Sequence, residues 1–292
     1  MIAGESARTL VRPGAAIAYR LRPAQAQPAR GTVVLLHGLA SNLSRYAELV
    51  ELTRLNQDWN LIRIDLRGHG ESDTRDRLSL ELWCEDLLAL LDAEAIDRAV
   101  VVGHSLGAQV GLALAAAHPD RVRGLALIDP LPGTALNERA RSWVRAGPAI
   151  RGLERLVRAA NAVGLRRRRL PLRDLRAEDE RARALLASGQ PLDDFVRDYA
   201  STWADLRHFR VAHYLRELIE LLRPPPLPAA IRCPVLVLLS AAGTFAKPAA
   251  VEIWAQGFVR GELVTIDCHH WPLTERPDAV RAAIEAWASR LA

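Results

Sequence analysis

Apolar positions in this chain follow two rhythms that trade places along its length. Short runs rich in Val, Ile and Leu occupy residues 32–36, 61–65, 99–102 and 122–128. Runs this short, bounded by Gly and Pro, read as strands covered on both faces. Between them, residues 44–55, 78–93 and 108–117 place apolar side chains at helical spacing. Residues 8–12 and 15–21 read as two antiparallel strands turned at Pro13-Gly14, and 23–30 as a Pro/Ala/Gln loop. Strands alternating with helices at this spacing require crossover connections, so the expected fold class is α/β, a mostly parallel sheet with helices on both faces.

The alternation stops after residue 130. From 131 to 228 no buried strand is predicted, only helical stretches separated by Gly147-Pro148, Gly164, Pro171 and Gln190-Pro191. Strand and helix then resume at 234–239, 249–256, 263–266 and 277–291. This predicts one core domain formed by 1–130 and 229–292, with 131–228 inserted as a helical cap. No internal repeat is visible.

With half its 292 residues apolar and a quarter charged, the chain has enough material for a sizeable core. The formal charge is +5, carried almost wholly by arginine, since Lys247 is the single lysine. No nucleic-acid-binding motif accompanies that charge, so no nucleic-acid partner is expected. The run Arg166-Arg167-Arg168-Arg169 reads as a solvated face, with an anionic partner, an acyl carrier protein or the phosphates of coenzyme A, left open. Three scattered cysteines offer no metal spacing, the first ten residues contain no apolar signal core, and no run approaches a membrane span. A cytoplasmic protein is expected.

Candidate chemistry centres on Gly103-His104-Ser105-Leu106-Gly107, which joins the strand at 99–102 to the helix at 108–117. A serine at the apex of a strand–turn–helix is lifted clear of the backbone, and bulky side chains at 103 and 107 would collide with neighbouring elements. The helix N-terminus then points toward whatever the serine attacks. A free hydroxyl is a weak nucleophile, so a base is needed within hydrogen-bond reach.

Together with His37-Gly38-Leu39, the loop Asp65-Leu66-Arg67-Gly68-His69-Gly70-Glu71-Ser72 and His270-Trp271-Pro272 before Glu275-Arg276-Pro277, this pentapeptide resembles the α/β-hydrolase superfamily. The likeness is to the branch carrying a helical cap after the sixth of eight strands, and it covers residues 31–130 and 229–292. It implies an eight-stranded, mostly parallel sheet and Ser105 as nucleophile. Glu and Pro five and seven residues after the family's catalytic histidine select His270 over His269. Backbone N–H groups of Leu39 and Leu106 are the implied oxyanion donors. His37, His69 and His104 read as structural.

One departure concerns the acid. Most capped relatives place it after the seventh strand, yet residues 240–248 contain no carboxylate. Asp129, at the end of the sixth strand, is the replacement that some relatives imply, and it keeps the order Ser105, Asp129, His270. A Ser–His dyad and a cap carboxylate such as Asp205 remain alternatives.

The resemblance implies a serine hydrolase acting on a carboxylic ester or thioester without cofactor or metal. Among the cap aromatics, Trp143, Trp203 and Phe209 are the expected substrate-lining residues, which suggests an apolar substrate. C–C bond hydrolase, lactonase and acyltransferase or cyclase activities stay open, as does a ligand-binding role without catalysis.

Overall fold

The computed structural model describes all residues except 168, 169, 190, 200 and 292, and the backbone alone of 192, 193 and 198. In chain order the first half runs β1 (Ser6–Arg12), β2 (Ala15–Arg22), β3 (Gly31–Leu36), α1 (Ala47–Leu52), β4 (Trp59–Ile64), α2 (Leu80–Ala93), β5 (Ala99–His104), α3 (Leu106–Ala117) and β6 (Val122–Ile128). Six helices follow before another strand: α4 (Glu138–Arg145), α5 (Gly147–Ala162), α6 (Leu175–Ala187), α7 (Leu192–Tyr199), α8 (Thr202–His208) and α9 (Val211–Leu221). The chain ends with β7 (Val235–Ser240), α10 (Pro248–Ala255), β8 (Gly261–Ile266), α11 (Pro272–Glu275) and α12 (Pro277–Ala288).

The eight strands form one sheet in the order β1-β2-β4-β3-β5-β6-β7-β8. β2 runs antiparallel to both its neighbours, and every pairing from β4 to β8 is parallel. The period of two along each strand divides the core into two layers. Val34, Leu36, Val101 and Leu125 pack toward α2 and α3, whereas Val33, Leu35, Val100 and Val102 pack toward α1 and α12. The expected α/β class with helices on both faces is the observed one.

One predicted helix is broken. Residues 44–55 form a 3₁₀ turn at Leu43–Tyr46, then α1, then a second 3₁₀ turn at Arg54–Gln57. Thr53 causes the break: it is extended (ψ 146°), and its hydroxyl accepts the Leu55 N–H at 3.2 Å, capping the next turn. β8 also begins earlier than expected, because Gly261 pairs with Val235.

Parallel strands deliver their carboxyl ends to one edge of the sheet. Ser105, Asp129 and the loop after β8 therefore meet at that edge, near the point where β5 has neighbours on both sides. No helix among the described residues is long and apolar enough to cross a membrane.

Candidate active site

The turn between β5 and α3 explains its own glycines. A Cβ on Gly103 would lie 2.2 Å from the Gly107 carbonyl oxygen, and one on Gly107 would lie 2.2 Å from the Leu36 carbonyl oxygen. Both obstacles are backbone and cannot give way. Ser105, between them, has φ 51° and ψ −107°, a strained conformation for a residue with a side chain. Its N–H is tied to the Ile128 carbonyl at 3.0 Å. The hydroxyl is thereby held at the mouth of α3.

Asp129 continues β6 by one residue and is also left-handed, at φ 45°. Its N–H donates to the Leu238 carbonyl at 2.8 Å, so the residue is clamped to the neighbouring strand β7. One carboxylate oxygen accepts the Ser240 N–H at 2.9 Å, and the other lies 2.5 Å from Nδ1 of His270. In the loop after β7, at 241–248, it is Phe245 that meets the imidazole, edge-on with centroids 4.8 Å apart.

His270 is buried, and its Nε2 lies 3.0 Å from Ser105 Oγ. A carboxylate at Nδ1 accepts a hydrogen bond, which places the ring hydrogen there and leaves the Nε2 lone pair facing the hydroxyl. Hydrogen bonds on both sides hold this loop. His104 Nε2 donates to the His270 carbonyl at 2.9 Å, and the buried Glu275 carboxylate takes the His269 N–H at 3.0 Å. His269 also turns its Nδ1 to Glu275, at 3.1 Å, so it is His270 that meets the serine.

Leu39 lines the same cavity as Ser105, and Leu106 follows the serine directly. Among the described residues neither Leu39 N–H nor Leu106 N–H has a hydrogen-bond acceptor. His37 braces the first of these loops: its Nδ1 donates to the Gly38 carbonyl at 2.9 Å and its Nε2 accepts the Leu66 N–H at 3.1 Å. Burial and the adjacent His69 hold the His37 ring well below the usual imidazole range, so it stays neutral. An array of hydroxyl, basic imidazole, buried carboxylate and free amides has what nucleophilic acyl chemistry requires.

The row opens into a cavity of about 290 Å³. Leu131, Trp143, Leu218, Leu221 and Phe245 supply apolar wall, and Arg173, Thr202, Asp205 and Tyr214 supply polar wall. Of the three aromatics expected to line it, Trp143 does. Trp203 is a correction: it is 82% exposed on the outer face of α8. Phe209 is another, since it is buried against His69, Ala40 and Tyr214 and lies outside this cavity. Asp205 lines the cavity but gives its carboxylate to Arg173 at 2.8 Å, not to His270, and burial pushes it up to about 6. Of the arginine run, Arg166 and Arg167 are exposed, and Arg168 and Arg169 lie outside the described residues.

A family model described as alpha/beta hydrolase fold matches residues 31–277. The chain belongs to that family. The esterase YbfF of Escherichia coli (strain K12) is 36% identical over 113 residues, which are 39% of this chain and 44% of the esterase. The 2-(acetamidomethylene)succinate hydrolase of Mesorhizobium japonicum is 35% identical over 101 residues, 34% of this chain and 36% of that enzyme. The chain thus spans under half the length of these curated relatives. A solved hydrolase from Pseudomonas aeruginosa PA01 superposes at TM-score 0.68 and 26% identity, over 98% of this chain and 99% of that one.

Within this α/β-hydrolase chain, several groups near the site carry no sequence signal. Arg45 is buried and paired with Asp179, which also accepts from Tyr199 at 2.8 Å and Thr274 at 2.9 Å. This ties α6 and α7 to the loop that carries His270. Glu217 on α9 reaches the Leu39 loop through Ala40 N–H at 3.2 Å. A carboxylate on an amphipathic helix gives no hint that it faces inward. Among the described residues no cluster of three His, Cys, Asp or Glu could hold a metal ion.

Proposed function

We propose that this chain is a serine hydrolase that cleaves a carboxylic ester or thioester through an acyl-enzyme. Ser105 Oγ attacks the carbonyl carbon while His270 Nε2 takes its proton. The Leu39 and Leu106 amides receive the oxyanion as the tetrahedral centre forms. Asp129 keeps the ring hydrogen on Nδ1 and balances the imidazolium. His270 then returns the proton to the departing alcohol or thiol. Water, deprotonated by the same nitrogen, attacks the acyl-enzyme and releases the acid.

The observation that carries this reading is the single imidazole spanning both partners, 2.5 Å from Asp129 and 3.0 Å from Ser105. Residues 131–228 act as the cap in this reading, because Trp143, Leu218 and Leu221 come from them and wall the cavity. Those side chains suit an apolar acyl or alcohol portion. Serine at 105 separates the chain from relatives whose nucleophile is a carboxylate.

A fluorophosphonate probe tests the proposal. It labels the wild type and not Ser105→Ala, and a graded panel of p-nitrophenyl esters, acyl-coenzyme A and acyl-carrier thioesters, lactones and vinylogous diketones separates the substrate classes. A wild type that takes no probe and turns over nothing in the panel defeats the reading.

A further inference from the structure

Glu217 lies on α9 and His69 in the loop after β4, and both side chains are wholly buried. Glu217 Oε1 lies 2.9 Å from His69 Nε2, and both atoms are buried without a hydrogen-bond partner among the described residues in the arrangement as it stands. His69 Nδ1 lies 3.2 Å from the Leu66 carbonyl and 3.3 Å from the Arg67 carbonyl. Carbonyl oxygens only accept, so Nδ1 carries the hydrogen of that side of the ring. Two lone pairs repel at 2.9 Å, so the pair of Nε2 and Oε1 must carry one further hydrogen. On the ring it would make a buried imidazolium facing a buried carboxylate; on the carboxyl it leaves both groups neutral. Burial drives the Glu217 carboxyl well above the usual carboxylate range and holds His69 down at about 3, and both directions favour the neutral pair.

The other oxygen of the same carboxyl accepts the Ala40 N–H at 3.2 Å. Ala40 follows Leu39 directly and has φ 49°, a left-handed conformation that a residue with a Cβ keeps only when its surroundings hold it. The turn 37–40 is thus tied to the turn 66–69 at both ends. His37 makes the first tie directly, through Leu66 N–H. Glu217 and His69 make the second in relay, and the two imidazoles pack against each other with centroids 4.6 Å apart.

We propose that Glu217 is a positioning residue: as a neutral acid relayed between Ala40 and His69, it fixes the turn that aims the Leu39 N–H at the space before Ser105. This rests on reading Leu39 as an oxyanion donor in the proposed function. It assigns the inserted helices a part in completing the site as well as covering it.

Substitutions at 217 test it, with kcat for p-nitrophenyl butyrate expressed per site titrated by fluorophosphonate. Glu217→Gln offers an N–H to His69 and an oxygen to Ala40, so kcat per site stays within about twofold of wild type. Glu217→Met fills the space but makes neither bond. It lowers kcat per site at least about tenfold, part of the roughly 10²–10³ that loss of an oxyanion donor costs, while KM moves less than about twofold. If Glu217→Met does not fold, Glu217→Asp replaces it, drawing the carboxyl back by one methylene with the same expected split. A lower melting temperature with unchanged kcat per site would make Glu217 merely structural and overturn the proposal. Equal losses in the Gln and Met variants overturn the neutral-acid form. A wild type that takes no probe removes the proposed function, and this inference with it.

Discussion

Asp129 takes the backbone N–H of Ser240 at 2.9 Å with the carboxylate oxygen that does not face His270. The acid at the end of β6 is therefore anchored to the end of β7, the strand whose following loop lacks a carboxylate. Because the two strands are hydrogen-bonded neighbours, an acid on either can reach the same imidazole. Asp129→Asn keeps an oxygen for Ser240 but turns an amide N–H toward Nδ1, which favours the wrong tautomer. Turnover of a p-nitrophenyl ester falls by about 10³–10⁴ with the fold intact by circular dichroism. A near-normal rate removes Asp129 from the mechanism.

The elbow glycines give a prediction about stability. Gly103→Ala and Gly107→Ala each press a methyl to 2.2 Å from a backbone oxygen. Neither α3, which carries the Gly107 oxygen, nor β3, which carries the Leu36 oxygen, can retreat without disrupting the elbow or the sheet. The destabilisation reaches or exceeds the upper end of the about 1–3 kcal/mol typical of overpacking. Gly133→Ala, with nothing within 4 Å of the added methyl, is the control. Urea midpoints compare all three.

The elbow was legible because its constraints are local: strand, two glycines, serine and helix are consecutive in sequence. That His270 and not His269 faces Ser105 was legible through Glu275, whose carboxylate accepts the N–H of the preceding residue, His269. The two sheet layers followed from strand periodicity. The segment 131–228 was read as helical, but its facing was not legible. α8 has seven residues, too few for periodicity to say whether Trp203 or Leu206 turns inward. Phe209 looked like a lining residue because aromatics near a cavity and aromatics beneath a loop have the same spacing. Glu217 gave no signal at all, because only tertiary packing buries it.

The exposed and enclosed tryptophans separate on function. Trp143 lines the cavity and packs on Phe245 with centroids 5.4 Å apart, whereas Trp203 faces solvent. Trp143→Ala shifts the preferred acyl length and raises KM for long-chain esters, by about fivefold to thirtyfold for the roughly 1–2 kcal/mol of apolar contact removed. Trp203→Ala leaves kcat and KM as in wild type. An unchanged chain-length profile in Trp143→Ala counts against the cavity as the acyl site.

Charge at the cavity gives a fourth test. Arg45 and Arg173 are each neutralised by a carboxylate, but the Arg139 guanidinium makes only a face contact with Phe245, 5.5 Å to the ring centre, among the described residues. Phe245 in turn abuts His270. Esters bearing a carboxylate are therefore favoured over neutral analogues of equal length. Arg139 is exposed, so Arg139→Ala removes that preference by about two- to fivefold in kcat/KM and leaves neutral esters unaffected. Equal effects on both substrate types defeat the prediction.

His213 sets a pH dependence. It is buried, donates from Nε2 to the Asp76 carbonyl at 3.1 Å, and is pushed by burial down to about 4. Unfolded, it titrates near the ordinary imidazole value of 6.5. Above that pH both states hold the ring neutral, and its titration adds no pH dependence. Below it the unfolded chain binds the extra proton, so the wild type loses about 1.4 kcal/mol per pH unit through this group until the folded ring also titrates near 4. Asp65 and Asp205, both raised to about 6, slope the other way, because their folded forms bind protons first. Comparing wild type with His213→Gln isolates the histidine from these carboxyls. Any stability advantage of the wild type at pH 7 shrinks by about 3 kcal/mol on acidification to pH 4, read from urea midpoints. A gap that stays constant between those pH values means the folded ring titrates where the unfolded one does, and that burial does not hold it neutral.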